Sequence, residues 1–148
     1  MTSTGTATCQ VTYTAPGSHT ITAAYAGDAT YAASTSAALT QQVAYKVQLQ
    51  YDSTKASNRG STVQVKIQLW NAAGTNLSAS GIKVTATGLS PSPAPGKAPA
   101  GTFTFLTLDQ GPGYQLNVKT TGYPAGTYTL SFTAGSDPTV HTTKFVIS

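Results

Sequence analysis

At 148 residues the chain is long enough for one or two domains, and 39% hydrophobic residues in alternating runs exclude a disordered chain. The net charge of +4 comes from eight Lys and Arg that form no run. That spread argues against a nucleic-acid interface and leaves an unspecific attraction to anionic wall polymer or membrane surface. No apolar stretch approaches the roughly 18 residues of a membrane span, and a single Cys excludes an internal disulfide.

Met1 is followed by Thr-Ser-Thr-Gly-Thr, without the basic and apolar segments of a signal peptide. For a chain that otherwise reads as secreted, the expectation is a piece of something longer. The first strand is expected over 6–14, with Ala7, Cys9, Val11 and Tyr13 on one face and Thr8, Gln10 and Thr12 on the other. Ala15-Pro-Gly-Ser18 turns the chain into a second strand over 19–26, where His19, Ile21, Ala23 and Tyr25 alternate. Gly27-Asp28-Ala29 turns it again into a third strand over 34–43. Three strands are fewer than half of the roughly seven that an Ig-like sandwich needs.

The run Tyr25-Ala-Gly-Asp-Ala-Thr-Tyr-Ala-Ala-Ser34, with Leu39-Thr-Gln-Gln-Val43 after it, resembles the C-terminal part of a bacterial Ig-like repeat of group 3. In that family the strand matching 6–14 often carries a Cys that faces an upstream Cys, and Cys9 holds the matching place. The resemblance thus implies a disulfide to a partner before Met1; a small buried hydrophobe is the other reading of Cys9. Residues 1–43 are accordingly expected to be the C-terminal strands of a truncated Ig-like repeat.

Residues 44–148 read as complete. Tyr45, Val47, Leu49 and Tyr51 alternate with Lys46, Gln48 and Gln50, and Val63, Val65, Ile67 and Leu69 with Gln64, Lys66 and Gln68, each the pattern of a half-buried strand. Between them, 52–60 is a polar connection. Ile82, Val84 and Ala86 are expected to begin a third strand, and Gly88 to Gly101 after it, with four prolines, is expected to be a surface loop. Four further strands, over 103–108, 114–119, 127–133 and 140–147, are separated by Gly and Pro punctuation. Tyr128, early in its strand, is placed for a tyrosine corner. A repeat runs through the chain: Gly126 precedes Tyr128, Leu130 and Phe132 as Gly17 precedes His19, Ile21 and Tyr25, and a Gly and an Asp close both segments.

The stretches Thr62-Val-Gln-Val-Lys-Ile-Gln-Leu-Trp-Asn-Ala-Ala-Gly74 and Lys119-Thr-Thr-Gly-Tyr-Pro-Ala-Gly-Thr-Tyr-Thr-Leu130 resemble a bacterial C-terminal domain family named for a Pro-x-Lys-Phe motif. At that motif the chain departs, with Gln64 for Pro and Ile67 for Phe. The expected architecture is all-β: an Ig-like antiparallel β-sandwich of about seven strands over 44–148, preceded by a three-stranded partial Ig-like domain over 1–43.

No catalytic, cofactor or metal site is expected. His19 and His141 lack a neighbouring nucleophile and no Gly-x-Ser-x-Gly elbow occurs, so both histidines read as structural. Asp28, Asp52, Asp109 and Asp137 each stand in or beside a turn, where Asp bonds its own backbone, and they form no Asp-x-Asp cluster for calcium. Trp70, Tyr114 and Tyr123, next to turns, are the candidates for stacking on a sugar; core packing is the competing reading of each. Both resemblances imply a non-enzymatic spacer or display module of a secreted or wall-attached bacterial protein. Its partners would be neighbouring Ig-like repeats. The rival reading is an adhesion module for a cell-wall polymer, another glycan or a protein.

Overall fold

In the computed structural model the described residues are 5–92, 99 and 101–148. They are all-β, and no helix occurs among them. Four short strands come first: β1 (Gly17–Ile21), β2 (Ala24–Tyr25), β3 (Ser34–Thr35) and β4 (Leu39–Val43). They form two separate antiparallel ribbons, β1 with β4 and β2 with β3. The remaining strands are β5 (Lys46–Leu49), β6 (Ala56–Ser57), β7 (Thr62–Trp70), β8 (Val84–Ser90), β9 (Gly101–Thr102), β10 (Thr104–Leu108), β11 (Gly111–Lys119), β12 (Gly126–Ala134) and β13 (His141–Ile147).

These nine make an Ig-like sandwich of two sheets, ordered β10-β11-β7-β5 and β6-β13-β12-β8-β9. Seven are the strands expected from the sequence, and two, β6 and β9, are two-residue additions at the edges of the second sheet. Every pairing is antiparallel except β13 with β6, where Val146 and Ile147 run parallel to Ala56 and Ser57. A two-residue edge of this kind shortens the exposed ladder that would otherwise template another chain.

The core lies between the two sheets and follows the period of two. Val63, Val65, Ile67 and Leu69 of β7 face Tyr128, Leu130, Phe132 and Ala134 of β12, all buried. Burying a large apolar side chain contributes about 1.5–3 kcal/mol, so this facing set supplies much of the sandwich's stability. Aromatic rings fill the core: Tyr128 stacks on its cross-strand neighbour Phe145 with centroids 5.5 Å apart, and Phe103 lies 5.5 Å from Phe132. The Tyr128 hydroxyl donates to the Pro124 carbonyl at 2.8 Å, which closes the expected tyrosine corner.

Several expectations need correction. No strand forms over 6–14, and the expected strands over 19–26 and 34–43 are each broken in two. The reason is burial: among residues 5–43 only Gly17 is buried, so the alternating face of this segment meets no second layer that would hold it extended. Strand β8 runs past its expected end to Ser90, because Leu89 pairs with Leu130 and Ser90 with Thr129. The start of the expected proline-rich loop is therefore sheet, while residues 93–98 and 100 lie outside the described residues. Gly111 and Pro112, expected as separator, begin β11, since Leu108 pairs with Gly111 and leaves a two-residue hairpin loop at Asp109 and Gln110.

Candidate functional site

The motif around Asp28 is a self-contained turn. Gly27 adopts φ +84°, and a Cβ there would come within 2.8 Å of the Ala33 nitrogen, so only glycine fits. Asp28 then accepts the Thr30 and Tyr31 amides on Oδ1 at 2.8 Å each, and the Tyr25 hydroxyl on Oδ2 at 2.5 Å. The Tyr25 hydroxyl, followed by the two amides, holds the Asp28 carboxyl below its ordinary range. All of these groups serve the turn itself. Nearby, Tyr13 stacks on His19 at 4.1 Å, and His19 Nε2 meets the Ala15 carbonyl at 2.9 Å.

The expectations for Cys9 and the three aromatics meet contrasting fates. Cys9 is an exposed free thiol, so it is not the small buried hydrophobe that one reading expected. It lines an open concavity of about 640 Å³ with Val11 and Tyr13 and with Ile21 and Val43 of the β1–β4 ribbon. Tyr114 is buried, with its ring edge-on to Phe105 and its hydroxyl both donating to the Ala79 carbonyl and accepting the Ala79 amide at 2.9 Å. Tyr123 is buried too, its ring 5.3 Å from that of Tyr128. A stacked sugar needs an open ring face, and the core already occupies those of Tyr114 and Tyr123. Trp70 alone of the three is half-buried, with Nε1 donating to Gln68 Oε1 at 3.2 Å.

Gln68 is the residue that alternation places wrongly. Its period puts it on the outer face of β7, yet it is fully buried, because the β10–β11 hairpin tip folds over it. Its carboxamide is completely matched: Nε2 donates to the carbonyls of Gln110 and Pro112 at 3.1 Å, and Oε1 accepts from Gln50 Nε2 at 3.1 Å and from Trp70. The sequence signal was Gly113. A Cβ there would stand 2.7 Å from the Ile67 carbonyl and 3.1 Å from Gln68 Cγ, so its lack of a side chain permits the close approach.

The other cluster missed from sequence surrounds Asp137, whose side chain is fully buried beside a nearly buried His141. Oδ1 accepts the Thr139 amide at 2.8 Å, while Oδ2 accepts the Tyr45 amide at 2.7 Å and His141 Nε2 at 2.8 Å. A carboxylate partner requires that Nε2 carry the proton. Burial alone would raise the Asp137 pKa, but the Tyr45 and Thr139 amides and His141 outweigh it and leave the carboxyl below its ordinary value. The imidazole lies on Phe132 with centroids 5.6 Å apart. Ring packing and the bond to Asp137 thus account for the setting of His141. Among the described residues, no three His, Cys, Asp or Glu side chains gather as a metal site.

Fold and geometry together define an all-β Ig-like sandwich whose polar clusters are built into its turns. A family model for the bacterial Ig-like domain (group 3) matches residues 1–44. No curated protein matches the chain.

Proposed function

We propose that the chain is a structural module of a secreted or cell-surface bacterial protein, acting as a spacer or display domain. In this reading 1–43 are the C-terminal strands of one Ig-like repeat and 44–148 a complete second sandwich, akin to the Pro-x-Lys-Phe family. The observation that carries it is the division of the core. Among the described residues every buried hydrophobic one lies between Val63 and Ile147, whereas the segment matching the bacterial Ig-like family leaves its apolar face open. A segment without a core gains stability from neighbouring repeats, which is how tandem arrays are held together.

Two measurements test the reading. A fragment of residues 44–148 is expected to unfold cooperatively alone, and one of residues 1–43 to show no cooperative transition; a folded short fragment would sink the division. The full chain is expected to bind nothing on a glycan array. Binding that is lost in Trp70→Ala would replace the spacer by an adhesion module. The half-open indole of Trp70 is the one stacking candidate that the fold leaves free to make such a contact.

A further inference from the structure

We propose that the turn between β12 and β13 is a clasp that fixes how the β1–β4 ribbon stands on the sandwich, with Asp137 as its positioning residue. The proposal deepens the spacer reading and rests on it, since the stiffness of such a junction decides the reach of a spacer.

Both ends of the ribbon meet at this one turn. Register pairs Gly17 with Val43, so the entry to β1 and the exit from β4 lie side by side. At the entry, the Ser136 hydroxyl donates to the Pro16 carbonyl at 3.4 Å, and a Cβ on Gly17 would stand 3.8 Å from that hydroxyl oxygen. At the exit, the Tyr45 amide donates to Asp137 Oδ2 at 2.7 Å across 92 positions of sequence. The first contact is long and exposed; the second is short, charge-assisted and buried on the carboxylate side. Asp137 therefore does most of the holding.

The carboxylate is in turn fixed from its own side. His141, packed on Phe132, holds Oδ2, and the Thr139 amide holds Oδ1. A carboxylate held by the Thr139 amide and His141 and given to the amide two residues past the end of β4 fixes the backbone at the point where the ribbon joins the sandwich. The Tyr45 ring also packs against the core, so the bond to Asp137 adds a hold on the backbone of the residue that the core holds by its side chain.

The test uses the full chain. Hydrogen exchange of the Tyr45 amide in the wild type is expected to be slowed to the level of the β7 and β12 amides; exchange as fast as that of an exposed loop would overturn the proposal without any variant. In Asp137→Asn, the Tyr45 amide is expected to exchange about tenfold faster or more, the range that a charge-assisted bond implies. Residual dipolar couplings of 17–43 should then no longer fit the alignment tensor of 62–147. Tyr45→Pro removes the same bond from the donor side, together with the ring's contact with the core, and is expected to uncouple the tensors likewise. A common tensor in either variant, with the sandwich resonances intact, would overturn the clasp. The spacer reading is judged separately, by ligand binding on the glycan array and by the fragment of residues 1–43, which holds neither Tyr45 nor Asp137.

Discussion

Asp28 and Asp137 make the same turn: each Oδ1 accepts the amide two residues on, from Thr30 and Thr139, at 2.8 Å. The repeat visible in the sequence therefore extends to hydrogen-bond chemistry. The two differ in the second oxygen. Asp28 gives its Oδ2 to Tyr25, three residues away and in solvent, whereas Asp137 gives it to Tyr45 and His141 inside the fold. One turn design closes a hairpin locally in the first case and joins distant segments in the second.

That difference sets a pH dependence. The folded-state pKa of Asp137 is depressed, so its contribution to stability is fully present above the unfolded value of about 4 and is lost as pH falls through the lower folded value. Below about pH 4 the sandwich is expected to lose stability steeply, and Asp137→Asn to flatten that slope while lowering stability at pH 7. Urea unfolding of both proteins at a series of pH values checks this. Parallel slopes in the two would mean that other carboxyls govern the acid limb.

Gln68 is a second such site. Replacing it with Leu leaves the Gln110 carbonyl, the Trp70 indole and the Gln50 amide without this partner, while the Pro112 carbonyl keeps the Asn76 amide at 2.9 Å. An unsatisfied group costs about 1–3 kcal/mol, and the Trp70 and Gln50 ends reach solvent and recover part of it, so a loss of about 2 kcal/mol is expected. The urea midpoint should fall at unchanged m. A midpoint equal to that of the wild type would show that the carboxamide only fills space.

These two residues also mark how far the sequence was legible. Inward positions of β7 and β12 followed from alternation alone, since a period of two is a local property that the two packed sheets keep. Tyr128 and its corner were legible for the same reason: the partner, Pro124, is four residues away. Gln68 and Asp137 were not, because what buries them comes from residues 42 and 92 positions distant, at Gln110 and Tyr45. Over 6–14 the expected strand does not form, and over 19–26 and 34–43 strands form only in part. An amphipathic pattern becomes sheet only when its apolar face has a layer to cover it. Of the candidate site, the tyrosines were placed beside the right turns, yet side-chain direction at a turn is set by tertiary packing, which turned Tyr114 and Tyr123 inward.

The tyrosine corner gives a milder variant. Tyr128→Phe keeps the ring contacts with Tyr123 and Phe145 and deletes only the hydroxyl that donates to the Pro124 carbonyl. A loss of about 1 kcal/mol is expected, the ordinary net value of one such bond. Thermal unfolding should show a lower midpoint without loss of cooperativity. No change would indicate that water replaces the hydroxyl at that carbonyl.

Gly113 and Gly88 form a paired test of how closely the hairpin tip is seated. Neither requires a positive φ, so any cost of an added methyl is steric. At Gly113 a Cβ would lie 2.5 Å from Leu108 Cδ1 and 2.7 Å from the Ile67 carbonyl oxygen, whereas at Gly88 nothing stands within 4 Å. The leucine methyl can rotate away, but the carbonyl belongs to the central strand of its sheet and is held by its ladder. Gly113→Ala is therefore expected to cost about 3 kcal/mol, the upper end for overpacking, and to pull the tip off Gln68. Gly88→Ala should be neutral within about 0.5 kcal/mol or slightly stabilising, through a less flexible unfolded chain. Equal stabilities for the two variants would mean that the β10–β11 hairpin seats more loosely on β7 than its contacts indicate.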